Sequence, residues 1–130
     1  MLEILNNICA GKGQPEDVDI LIELGQHVSK SSLCGLGQTA PNPVLTTIRY
    51  FRDEYEDHIL NKACPAKVCK ALISYSILPE KCTGCTLCMT SCPAHAITGV
   101  LKSTHTINPV LCTRCGMCSS VCKFDAIQVN

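Results

Sequence analysis

The chain has 130 residues, 12 of them cysteine, and its 11 basic residues balance 11 acidic ones. That length allows one ordinary domain or two small ones, and the zero net charge leaves no electrostatic footprint for nucleic acid or an anionic membrane surface. With no Trp, 3 Tyr and 2 Phe, core burial alone should not hold the cysteine-rich half, so cross-links or metals are expected.

Residues 1–62 read as helical. Leu2, Leu5 and Ile8 share one face of a first helix that stops at Gly11. Cys9, between Ile8 and Ala10, reads as a buried, inert thiol. The opening MLEILNNICAGKG has no basic region, apolar run or small-residue cleavage site. No apolar run approaches the ~18 residues of a membrane span. A cytoplasmic chain is therefore expected, in which thiols stay reduced and clustered cysteines bind metal. Pro15, Glu16 and Asp17 mark a second helix start, followed by an apolar stripe of Val18, Leu21, Ile22 and Val28. SSLCGLGQTAPNP, 31–43, reads as a loop. Asn42 then reads as an N-cap before Pro43, opening a long amphipathic helix over 43–61 along Val44, Ile48, Phe51, Tyr55 and Ile59. Its charged face, with Arg49, Arg52, Asp53 and Glu54, is a solvated face.

Residues 63–72, ACPAKVCKAL, form a junction, and beyond it the chain repeats itself. SYSILPEKC aligns with THTINPVLC, and CPAHAITGV with CKFDAIQVN, so Ile77 matches Ile107, Cys82 matches Cys112 and Ala96 matches Ala126. Each half should be a short strand, a cysteine-rich loop, a helical turn and another short strand. Units this short cannot bury a face alone, so the two should pack as a pseudo-symmetric pair. The expected fold class is α+β: an N-terminal helical bundle over 1–62, then, across the junction, a two-cluster bacterial ferredoxin-like domain with a pseudo-twofold repeat over 73–130.

The ferredoxin expectation rests on CTGCTLCMTSCP, 82–93, and CTRCGMCSSVCK, 112–123. Three thiolates at two-residue gaps converge on one cubane, while the fourth cysteine of such a run lies too far along and ligates the other cluster. One [4Fe–4S] cluster would then take Cys82, Cys85, Cys88 and Cys122, and the other Cys112, Cys115, Cys118 and Cys92. A zinc site would expect paired C-x-x-C and often histidine. Lys123 stands where the first run has Pro93, which leaves the ligand Cys122 in place. Met89 and Met117 read as apolar cover for the clusters. His95 and His105 read as solvent-facing histidines beside strands.

SSLCGLGQTAPNPVLTTIRYFRDEYEDHI is similar to the iron–sulfur segment of the NADH-binding flavoprotein subunit of respiratory complex I, NAD-dependent hydrogenases and NAD-dependent formate dehydrogenases. Joined to a double-cluster ferredoxin through CPAKVCK, it resembles the beta subunit of NAD-linked iron-only hydrogenases, including electron-bifurcating ones. The resemblance implies a fragment of a longer subunit, with FMN and NAD sites upstream. It implies electron relay between a flavin and a partner, either another subunit of a hydrogenase or NADH oxidoreductase complex or a ferredoxin. It also implies that Cys34 matches the fourth ligand of an upstream [4Fe–4S] cluster, whose C-x-x-C-x-x-C loop these residues lack. Cys34 is therefore expected to bind nothing in this piece. A lone GKG at 11–13 is no nucleotide loop, and no nucleophile–base or carboxylate pair is present, so no turnover is expected of the fragment alone. The competing functional expectation is a mobile docking arm whose clusters are structural; a zinc-ribbon regulator is a third.

His58, Cys64 and Cys69 form the last group. An imidazole and two thiolates are a zinc-type donor set, and they can converge if the chain turns at Pro65. Zinc there would pin the long helix to the ferredoxin half, with a fourth donor from elsewhere or from water. Reduced thiols in a turn, or a disulfide, are the alternatives.

Overall fold

The apolar stripes legible in the sequence become helices in the computed structural model, which describes residues 1–130 and divides them into two units, Met1–Leu72 and Ile73–Asn130. In the first unit α1 spans Leu2–Cys9, α2 Asp17–Ser31, α3 Gly35–Thr39 and α4 Asn42–Glu56. Ile8, Val18, Leu21, Ile48 and Ile59 meet in its core, each such side chain contributing about 1.5–3 kcal/mol on leaving water. Gly25 lets α2 approach α4: a Cβ there would lie 2.8 Å from Leu45 Cδ2.

Local expectations change around α3 and α4. The loop 31–43 contains a helical turn, α3, entered from an extended Cys34. Asn42 lies within α4 instead of capping it, and the boundary falls to Pro41, which is fully buried. The long helix also does not run unbroken to 61. It bends at Phe51, whose φ of −133° and ψ of 36° are not helical. The bend takes Phe51 off the apolar stripe and leaves it 55% exposed. After α4 the chain makes a wider, π-helical turn, Asp57–Asn61, that buries the consecutive residues His58 and Ile59. Such turns mark places where a helix re-aims a side chain. Lys62, in the left-handed conformation, ends it.

In the second unit each repeat gives a strand, a short helix and a strand: β1 (Tyr75–Ile77), α5 (Leu87–Thr90) and β2 (Ile97–Thr98), then β3 (Thr106–Ile107), α6 (Met117–Val121) and β4 (Ile127–Val129). The repeats exchange strands. β1 pairs antiparallel with β4, Ile77 opposite Ile127, and β2 pairs antiparallel with β3, Ile97 opposite Ile107. The α+β class and the pseudo-twofold repeat are therefore as expected. The backbone repeats its unusual conformations as well: positive φ occurs at Gly84 and Arg114, at Thr86 and Gly116, and at His95 and Asp125. The core is thin, with the thiols of Cys88 and Cys118 alongside Ile97.

Candidate metal centres

The strand exchange decides which thiols meet. Cys82, Cys85, Cys88 and Cys122 line one cavity of the second unit, and Cys92, Cys112, Cys115 and Cys118 line another. Each cavity thus takes three thiols from the loop of one repeat and one from the other. The crossing cysteine follows a short helix and precedes a buried alanine. The Ala96 N–H donates to Cys92 Sγ at 3.3 Å, and the Ala126 N–H to Cys122 Sγ at 3.4 Å. The Arg114 N–H donates to Cys112 Sγ at 3.4 Å. Such N–H groups offset charge on a thiolate. Burial pushes the Cys88 thiol up, helped by the neighbouring Cys82 and Cys85. Burial likewise pushes Cys118 up, with Cys112 and Cys115 adding to it. A metal or cluster must displace those protons, so binding and folding are coupled. Four thiols around an apolar cavity, with backbone N–H donors on the sulfurs, fit an iron–sulfur cluster.

The first unit gathers a different donor set. The ligand atoms of His58, Cys64 and Cys69 lie within 4.8 Å of one another. His58 Nδ1 is 2.6 Å from the Glu54 carbonyl oxygen. A carbonyl can only accept, so Nδ1 donates there, which leaves Nε2 as the ring nitrogen available to the thiols or a metal. Residues 64–69 turn back on themselves, with the Val68 and Cys69 N–H groups both donating to Cys64 Sγ at 3.4 Å. Burial pushes Cys64 up, but those N–H bonds, the Cys69 thiol and His58 outweigh it and hold Cys64 at about 7. Cys69 goes the other way, to about 12, through burial and the thiols of Cys64 and Cys9.

Cys9 corrects its sequence reading. It is exposed, and its thiol lies close enough to Cys69 to help push that thiol up. It also shares a cleft of about 380 Å³ with His58. No local spacing points to it, because α1 and the π-helical turn meet only in the tertiary fold. Cys34 stands apart, exposed at the start of α3.

The two remaining histidines part company. His95 is exposed, as expected, at one of the repeated positive-φ positions. His105 is not solvent-facing: it is 1% exposed and lines the cavity of Cys82, Cys85, Cys88 and Cys122. Met89 packs against the core, whereas Met117, at the rim of the other cavity, is 46% exposed. Lys123 is exposed. No helix is long and apolar enough to cross a membrane.

Both halves of the chain match known protein families in sequence. Residues 1–58 match the NADH-ubiquinone oxidoreductase-F iron–sulfur binding region, and residues 74–123 match the 4Fe–4S dicluster domain. NADP-reducing hydrogenase subunit HndC of Solidesulfovibrio fructosivorans is 54% identical over 98% of the chain and 26% of its own length. An NADH-quinone oxidoreductase subunit of Streptomyces coelicolor is 40% identical over 50% of the chain and 14% of its own length. NAD-reducing hydrogenase HoxS subunit alpha of Cupriavidus necator is 36% identical over 45% of the chain and 10% of its own length. The chain thus spans about a quarter of the relative that it matches end to end.

Proposed function

The chain belongs with the iron–sulfur regions of hydrogenase and NADH oxidoreductase subunits, and on that premise we propose that it is a relay module that holds two [4Fe–4S] clusters. The observation that carries this is the sorting of eight cysteines into two cavities of four. Cys82, Cys85, Cys88 and Cys122 hold one cluster; Cys112, Cys115, Cys118 and Cys92 hold the other. Each cluster, when bound, supplies a one-electron donor and acceptor. The protein's part is to fix the thiolates, supply N–H donors through Ala96, Ala126 and Arg114, and keep water off the sulfurs with Met89 and the paired isoleucines. In the whole protein these clusters pass electrons between a flavin and NAD(P)H part and a partner subunit. The parent is an NAD(P)-linked hydrogenase.

The first unit supplies a structural metal centre. His58, Cys64 and Cys69 supply three donors to one zinc ion, and Cys9, beside Cys69, is the nearest candidate for the fourth. That accounts for the inward π-helical turn and for two N–H groups spent on one sulfur. Cys34 then supplies a ligand to a further cluster completed by residues beyond these. In support, it is the one cysteine of this iron–sulfur binding region with no thiol partner among Cys9, Cys64 and Cys69.

An anaerobic reductive titration tests the relay. Two one-electron equivalents per chain, with a paramagnetic signal from each cluster, are expected. Clusters that are present but cannot be reduced by a low-potential donor favour a docking arm with structural clusters instead.

A further inference from the structure

The two cluster cavities are built from repeats, but they differ in one enclosed side chain. By the alignment of SYSILPEKC with THTINPVLC, His105 takes the place in the second repeat that Tyr75 takes in the first. Tyr75 lines the cavity of Cys92, Cys112, Cys115 and Cys118. It is only partly buried, and its hydroxyl lies 3.1 Å from where a Gly116 Cβ would stand. His105 lines the cavity of Cys82, Cys85, Cys88 and Cys122, is 1% exposed, and has no hydrogen-bond partner at Nδ1 or Nε2.

An imidazole sealed from water with neither nitrogen satisfied is destabilising, because each buried polar group has lost its hydrogen bonds to water without replacing them. A phenylalanine would fill the space without that penalty. The fold nonetheless holds the ring in place. His105 follows the hairpin loop after β2, and a Cβ on Gly99 would lie 2.7 Å from His105 Cγ and Cδ2. Only a glycine admits the ring there. The same loop is tied to the cysteine loop, the Lys102 N–H donating to the Gly84 carbonyl at 3.0 Å. A Gly84 Cβ would meet Ser103 N at 2.4 Å. Hairpin and cysteine loop are thus seated on each other with the imidazole between. The side chains that share its cavity and could accept from it are the four cysteines and Thr83, and neither ring nitrogen is bonded to any of them.

We propose that His105 donates a ring N–H to a sulfur of the cluster held by Cys82, Cys85, Cys88 and Cys122, and so sets that cluster's reduction potential above that of its twin. This rests on the two-cluster reading above. Donation to sulfur stabilises the reduced, more negative cluster, which raises its potential. The twin cavity has a phenol at its rim in place of an enclosed imidazole. Two clusters of near-identical ligation thereby become unequal, and the electron rests on the one beside His105.

The test is an EPR-monitored redox titration of the chain with clusters in place, as wild type, His105→Phe and His105→Gln, with iron counted in each. In His105→Phe one midpoint should fall so that the reduced-to-oxidised ratio at fixed ambient potential drops about tenfold, which is 59 mV for a one-electron couple. The other midpoint should not move, and His105→Gln, which keeps an N–H donor, should lie between. A second readout needs no variant to fold. Wild type labelled with ¹⁵N-histidine should show a weak nitrogen coupling to one reduced cluster. Full iron content with both midpoints unchanged in His105→Phe, or no nitrogen coupling in wild type, overturns the role of His105 and leaves the two-cluster reading standing. Wild type that takes up no iron overturns both.

Discussion

Replacing Cys64 by serine should uncouple the helical unit from zinc. Cys64 is the buried sulfur on which the Val68 and Cys69 N–H groups converge, and it lies within reach of His58 and Cys69. A ligand that binds only the folded state stabilises by about 2.7 kcal/mol at a concentration of 100 Kd. In a unit the size of Met1–Leu72, 1 kcal/mol moves the midpoint by about 4–8 °C. Free zinc at that level should therefore raise the unfolding midpoint of the wild type by about 10–20 °C over the metal-free protein. Cys64→Ser should show almost none of that rise. The assay is far-UV circular dichroism under reductant, with free zinc set by a chelator buffer. The two 15-residue helices α2 and α4 dominate that signal, whereas visible absorbance follows the clusters. An equal zinc shift in Cys64→Ser, or none in wild type, would refute the zinc centre. Cys34→Ser serves as the control and should behave as wild type.

Other consequences can be read in parallel. Cys122→Ala should lower iron by about half and leave the cluster of Cys112, Cys115, Cys118 and Cys92 spectroscopically intact; loss of that cluster instead would contradict the exchange of fourth ligands. Gly84→Ala forces a Cβ at φ +69° against the Ser103 backbone, so the cluster unit should lose about 1–3 kcal/mol or more, visible as a lower midpoint by 400-nm absorbance; an unchanged midpoint would show that the hairpin does not seat there. In metal-free protein the helical unit should be most stable near pH 9. Cys64, held down at about 7 from 9, contributes stability that is full above pH 9 and is lost as pH falls through 7. Cys69, held up at about 12, contributes stability that is full below pH 9 and is lost as pH rises through 12. Melts across pH 6–10 check this, with Cys64→Ser flattening the acid side; a midpoint that does not rise between pH 7 and 9 would contradict it.

The sorting of eight cysteines into two sets of four is legible in the sequence because their order is local. Three thiols at fixed gaps and an internal repeat leave few ways to assemble a cubane, and the matched alanines Ala96 and Ala126 mark where the chain passes the crossing cysteine. The class of fold follows from the same repeat, together with the stripes of α2 and α4. Elsewhere the deciding contacts are tertiary. Cys9 reads as a core residue because Ile8 beside it is one, yet it stands one position round the helix, on the side of Cys69. Phe51 fits the stripe of a straight helix, and only the bend in α4 expels it. His105 occupies an outward-reading place next to a two-residue strand. It is enclosed because a hairpin folds over Gly99 onto the loop at Gly84, and no periodicity encodes that closure. The His58 group lies between these cases. Its donor types are readable, but their convergence needs a π-helical turn.

The most direct test of two clusters is a joint count of iron and acid-labile sulfide in the anaerobically purified chain. Two cubanes require about 8 iron and about 8 sulfide per chain, with roughly one zinc besides. Zinc in place of iron, with sulfide absent even after reconstitution, would contradict them.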